Sequence, residues 1–181
     1  KRAQWRAGVQ SVHPWCFPPG SLVQMEDTDR PIEQVRLCDR VLTHQGRYRA
    51  VQRLSKRMFA GDLVVLTAGD KVLKCTPEHP LLTSRGWVRA EAIELADYLL
   101  QTPHIPYADT DVQNVELDRA GHAATYSGVP AESIRREAYA GPVFNFSVEG
   151  DESYVVNGFV VHNCACTTVH VPEGWTFDDE N

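Results

Sequence analysis

Apolar residues fall in short runs with a two-residue alternation, broken by turn-forming pairs, and seldom in the three-to-four-residue repeat of a helix. After Pro18-Pro19-Gly20, strand character recurs over Ser21 to Met25, Asp39 to Thr43, Tyr48 to Leu54, Leu63 to Thr67 and Lys71 to Thr76. Gln45-Gly46, Gly61-Asp62 and Gly69-Asp70 read as the turns between them. A turn or two of helix is predicted around Arg89 to Leu95. From Pro103 to Tyr139 the periodicity fades, and polar residues with Gly121, Gly128 and Pro130 predict a long, partly flexible connection. Strands return at Val143 to Val148, Ser153 to Val156 and Phe159 to His162, with Asn157-Gly158 as a hairpin turn. Many short strands and at most two short helices predict an all-β domain.

Composition narrows the class. With 181 residues, 43% hydrophobic and 23% charged, the chain has enough apolar mass for one ordinary globular core. The net charge of -6 and the acidic run Asp178-Asp179-Glu180 leave no basic surface, so nucleic acid is not an expected partner. No apolar stretch approaches the ~18 residues of a membrane span, and Lys1 to Gln10 lack the pattern of a secretion signal. A cytoplasmic, reducing setting is the working expectation. Five scattered cysteines (Cys16, Cys38, Cys75, Cys164, Cys166) make a poor disulfide framework and leave at least one free thiol.

Three local patterns carry candidate chemistry. Cys16 precedes a Pro-Pro-Gly turn; Thr76-Pro77-Glu78-His79-Pro80 ends a strand; and Val160-Val161-His162-Asn163-Cys164 ends the last strand in an imidazole, an amide and a thiol. Singly, the first two read as a buried small side chain and a capped strand end. In this order they resemble the splicing motifs of inteins, within the wider Hint family that includes the autoprocessing domain of hedgehog proteins. Cys16-Phe17-Pro18-Pro19-Gly20-Ser21 is similar to the N-terminal junction motif, Lys74 to Pro80 to the Thr-x-x-His motif, and Val143 to Cys164 to the C-terminal junction.

The resemblance implies a horseshoe of β-strands over residues 16 to 163, with host segments at residues 1 to 15 and 164 to 181. It implies a reaction without cofactor, acting in cis. The Cys16 thiolate attacks the Trp15 carbonyl to give a thioester, His79 protonates the departing nitrogen, and Thr76 holds the junction peptide. Cys164 then takes up residues 1 to 15. Asn163 closes on its own carbonyl to a succinimide, aided by His162, and a sulfur-to-nitrogen shift joins Trp15 to Cys164. Residues 16 to 163 hold the splicing domain and little more, so a mini-intein without a homing endonuclease is expected.

Two positions depart from the family's pattern: Asn145 stands where an Asp is usual, and Glu152 where a His is usual. Both are retained as auxiliary site residues. Cys38, Cys75 and Trp87 are assigned to core packing, and His44, His104 and His122 are given no function. Excision would unite His13 with Cys164, Cys166 and His170, four candidate metal ligands in the host. The joined run also resembles the C-terminal motif of phage head-morphogenesis (minor head) proteins, which would make the host a phage or prophage structural protein. The rival readings are a hedgehog-like domain that cleaves without ligating, a Cys/His zinc-binding module, and a Cys-His hydrolase with an open cleft.

Overall fold

The computed structural model describes residues 15–102 and 126–163, and the chain is almost entirely β. Twelve strands run in chain order: β1 (Leu22–Val23), β2 (Arg30–Pro31), β3 (Arg40–Leu42), β4 (Tyr48–Ala68), β5 (Lys71–Cys75), β6 (Pro80–Thr83), β7 (Gly86–Arg89), β8 (Tyr98–Gln101), β9 (Ser127–Pro130), β10 (Ser133–Val148), β11 (Ser153–Val156) and β12 (Phe159–His162). One sheet has the order β2-β1-β11-β12-β6-β8-β9, with β7 on β6. The other has the order β10-β4-β3, with β5 on β4. Phe17, Val23, Leu66, Leu73, Phe146, Tyr154 and Phe159 belong to one buried cluster between them. No helix among the described residues is long and apolar enough to cross a membrane.

The second sheet corrects the sequence reading in its middle. The runs predicted as Tyr48 to Leu54 and Leu63 to Thr67 are one strand, and Gly61-Asp62 is no turn: Gly61 pairs with Tyr139 and Asp62 with Ala138. The partner, β10, begins at Ser133, inside the stretch predicted to be a loose connection, and β9 lies there as well. Ser55 to Asp62 pair with β10 alone and alternate between half-buried and exposed before turning fully exposed. A two-stranded ribbon wetted on most sides needs its ladder of backbone hydrogen bonds but no apolar face, so hydrophobic periodicity cannot reveal it. Of the predicted connection, residues 103–125 lie outside the described residues.

The predicted helix at Arg89 to Leu95 shrinks to a 3-10 turn at Ala90–Ala92, matched by another at Ile32–Gln34. Strands β6, β7 and β8 fill the interval around it, where short, mixed segments left no clear alternation. Asn157-Gly158 does form the hairpin turn joining β11 to β12, with φ of 49° and 81°, the left-handed pair that such a turn demands. Asn157 also ties the hairpin down: its Oδ1 accepts from the Leu22 N–H at 2.7 Å, and its Nδ2 donates to Val72 O at 2.8 Å.

Two core assignments change. Cys75 is fully buried, as expected, but Cys38 is exposed, at a left-handed turn position (φ 67°). Trp87 is not a core residue either: 41% of its surface is exposed, and its ring lies at the site described next.

Candidate active site

The N-terminal junction is held by backbone pairing on one side and side chains on the other. Phe17 and Phe144 exchange hydrogen bonds of 2.9 and 2.8 Å, which docks Cys16 against β10. Thr76, just past the end of β5, grips the Cys16 residue at both backbone groups. Its N–H donates to Cys16 O at 3.0 Å, and its Oγ1 accepts from the Cys16 N–H at 2.9 Å. The amide nitrogen of the Trp15–Cys16 bond therefore points at the Thr76 hydroxyl.

The carbonyl of that same bond faces Asn145, whose Nδ2 donates to Trp15 O at 2.6 Å. The amide cannot be turned round. Its Oδ1 receives the Phe146 N–H at 2.7 Å, a group that can only donate, and the Tyr154 hydroxyl at 2.6 Å. Asn145 and Tyr154 are fully buried. A carbonyl gripped by a fixed donor is the arrangement that stabilises the oxyanion of acyl transfer.

Burial pushes the Cys16 thiol above its ordinary range, with Glu78 adding to the rise, and the Arg57 guanidinium, hydrogen-bonded to it from β4, offsets only part of it. The same guanidinium lies 5.2 Å from the centre of the Phe59 ring. Cys75 is pushed up further by burial, with no cation beside it, and is a silent core thiol.

His79 follows Thr76 by three residues, its N–H donating to Thr76 O at 3.1 Å. Its ring packs 4.2 Å from that of Phe17, and Nε2 lies 3.1 Å from His162 O. One buried imidazole thus touches both ends of the segment. Nδ1 has no hydrogen-bond partner among the described residues. Burial holds the ring neutral and pushes its pKa down to about 3, against a partial raise from the His162 carbonyl.

That shift has a consequence for stability. Between pH ~6.5 and ~3 the unfolded chain binds a proton at His79 that the folded chain refuses, so stability is complete above ~6.5 and falls as the pH drops. At ~1.4 kcal/mol per pH unit, a splicing-blocked form should lose roughly 2 to 3 kcal/mol between pH 6.5 and 4.5. Urea unfolding at a series of pH values checks this, and His79→Gln should flatten that part of the profile.

At the other end, β12 runs antiparallel to β11 and touches β6, with Val161 opposite Leu81. His162 Nδ1 comes 3.0 Å from Asn163 O, the carbonyl of the C-terminal junction. Asn163 is buried; its N–H donates to Glu152 O at 2.9 Å. Its side chain is satisfied when Nδ2 donates to Glu152 O at 3.2 Å and Oδ1 accepts from the Val148 N–H at 3.0 Å. Glu152 thus meets Asn163 through its carbonyl, from a left-handed backbone (φ 51°), while its side chain is exposed.

Around His162 stand the side chain of Trp15 and two residues that the sequence reading left out of the site, Trp87 and His44. The rings of Trp15 and Trp87 meet the imidazole edge-on, with centroids 5.3 and 5.0 Å away. His44 lies behind Trp87 at 6.1 Å, its Nδ1 2.6 Å from Ser153 Oγ, and burial lowers its pKa. Buried Asp151 braces this corner. Thr43 Oγ1 donates to it at 2.7 Å and Arg47 Nε at 2.8 Å, and the Arg47 hydrogen bonds hold its carboxyl below the ordinary range.

The structure thus brings Cys16, Thr76, His79, Asn145, His162 and Asn163 to one place, with Glu152 beside them through its backbone. Cys164 and the proposed host ligands His13, Cys166 and His170 lie outside the described residues, as do His104 and His122. Among the described residues no three His, Cys, Asp or Glu side chains are grouped to hold a metal ion.

A β-fold that sets Cys16 and Asn163 around one shared imidazole is the arrangement of a self-processing domain of the Hint class. The chain belongs to the intein splicing domain family, whose model matches residues 25–163. Family members carry out autocatalytic protein splicing in cis on their flanking host sequence. The solved bacterial intein-like domain of Clostridium thermocellum has the same fold, with a TM-score of 0.61 at 22% identity over 82% of this chain and 98% of that one. The DnaB intein of Synechocystis is similar, with a TM-score of 0.59 at 18% identity over 83% and 99%. An uncharacterized protein of Methanocaldococcus jannaschii is 32% identical over 68 residues, 36% of this chain and only 9% of that protein's length.

Proposed function

We propose that this chain excises residues 16 to 163 from its host and joins Trp15 to Cys164. The observation that carries the reading is that both carbonyls due for attack are already addressed. Trp15 O is held by Asn145 Nδ2, and Asn163 O faces His162 Nδ1, with His79 spanning the gap between the two ends.

In the first step Cys16 Sγ bonds to the Trp15 carbonyl carbon, the carbon–nitrogen bond breaks, and the thiol's proton ends on the freed nitrogen of Cys16. Arg57 favours the thiolate, Asn145 stabilises the oxyanion, and Thr76 holds the nitrogen as it departs. The neutral imidazole of His79 relays the proton, taking it at Nδ1 and returning it to the amine. Cys164 Sγ next attacks the thioester and frees Cys16 as thiolate. Asn163 Nδ2 then bonds to its own carbonyl carbon, the bond to Cys164 breaks, and the new amine of Cys164 takes Trp15 from sulfur to nitrogen. Placement of groups so far apart in sequence is the fold's contribution, equivalent to ~10⁵ M or more of effective concentration.

Thiols must stay reduced for this, which suits a cytoplasmic setting. For the host, the joined His13, Cys164, Cys166 and His170 and the likeness to phage head-morphogenesis proteins support a phage structural protein with a metal site formed on ligation.

A version carrying Asn163→Ala and Cys164→Ala stops after the first step. Dithiothreitol should then release residues 1 to 15 with their upstream fusion partner, and a further Cys16→Ala should prevent it. Thiol-independent behaviour of the double variant would contradict the thioester.

A further inference from the structure

Trp87 is a large aromatic residue left 41% exposed at the middle of a short strand, where β7 pairs with β6 and Trp87 lies opposite Leu82. Core packing does not account for that position. What it does touch is His162: their centroids are 5.0 Å apart with planes inclined at 69°, an edge-on contact of the favourable kind. Trp15 makes a near-identical contact with the same imidazole, at 5.3 Å and 69°. His162 therefore meets two indoles, one belonging to the domain and one to the host residue that is to be transferred.

The imidazole needs such help. It ends a strand, is only half-buried, and among the described residues its ring hydrogen-bonds to the neighbouring Asn163 O, at 3.0 Å from Nδ1. A ring free to turn about χ1 and χ2 would spend much of its time away from that oxygen. Both indoles lie against it and restrict that turning. Trp15 is meanwhile held at a second point, since its carbonyl accepts from Asn145 Nδ2 at 2.6 Å. Backbone and side chain of the acyl residue are thus gripped by different parts of the site.

We propose that His162 and Trp87 form a subsite for an aromatic side chain at the position before Cys16, and that Trp87 is a positioning residue for His162. The proposal rests on the splicing reading and deepens it. An aromatic acyl residue orients the imidazole that acts at the opposite junction, so the identity of residue 15 affects a bond cleavage in which it takes no chemical part.

The test uses the full chain between fusion partners with Cys16→Ala, which removes thioester chemistry and leaves cleavage of the 163–164 bond to be timed. Trp15→Phe should cleave within about twofold of the Trp15 form. Trp15→Leu and Trp15→Gly should be slower by about three- to tenfold, the range of one aromatic pair contact. Trp87→Ala should show a similar loss and Trp87→Phe recover most of it. Recovery by Trp15→Phe and Trp87→Phe marks an aromatic contact, which a merely structural defect would not reproduce. Rates indifferent to residues 15 and 87, or Trp15→Leu matching Trp15, would overturn the subsite. Absence of cleavage from every version, the Trp15 form included, would overturn the splicing reading and the subsite with it.

Discussion

Asn163→Ala should abolish cleavage at the 163–164 bond, by about three orders of magnitude or more, while leaving thiol-sensitive cleavage after Trp15 intact. Five-membered ring closure depends on a side-chain nitrogen one carbon from Cβ, tethered through Cγ, Cβ and Cα to its own carbonyl carbon, and losing that tether forfeits most of the effective concentration. Asn163→Gln keeps the amide but needs a six-membered ring, and should retain only a small fraction of the rate. The resting geometry also shows why closure should be slower than thioester formation. Asn163 Nδ2 is engaged by Glu152 O at 3.2 Å and Oδ1 by the Val148 N–H at 3.0 Å, so both bonds must break before the nitrogen can turn inward. Glu152→Gln, which alters only an exposed side chain, should leave closure within about twofold. Time-resolved gel analysis of the two cleavages separates these effects.

The second large effect is expected at Asn145. Asn145→Leu removes the donor on Trp15 O and should slow thioester formation by about 10²-fold, the usual cost of losing one oxyanion donor. Asn145→Asp is the more telling change. An ionised carboxylate there would set a negative oxygen against the carbonyl oxygen it must stabilise, so the reaction should be slow at pH 7. Burial raises the pKa of such a carboxyl, and once protonated it donates as the amide does, so the rate should recover as the pH falls toward 5. Dithiothreitol-induced cleavage measured across pH in the Asn163→Ala background reads this directly. A pH-independent Asn145→Asp variant would contradict the role given to Asn145.

The site was more legible in the sequence than the middle of the fold. The junction residues announce themselves because thiol, amide and imidazole at the end of an apolar strand have little structural reason to occur together. Asn145 could be seen only as a departure from a pattern. Its function depends on which way an amide points, and that is fixed by the Phe146 N–H and the Tyr154 hydroxyl, contacts no linear pattern encodes. Arg57 was hidden for a related reason: it lies in the polar half of β4, where the chain has no apolar alternation to mark it as a strand, still less as one that passes Cys16. Trp87 was misplaced in the core because large aromatics usually belong there, whereas its partner here is an imidazole more than seventy residues away. The strands read correctly, β3, β5, β11 and β12, are short ones that each carry buried apolar residues; the long ribbon of β4 and β10 was read only where it entered the core.

The most direct test of the central claim is intact mass spectrometry of the chain placed between two different fusion partners, under reducing conditions with a chelator, beside Cys16→Ala and Asn163→Ala. A ligated product carrying Trp15 bonded to Cys164 is expected, together with a free fragment of residues 16 to 163, both missing from the two variants. Separate partners without ligation, or an unchanged precursor, would contradict it.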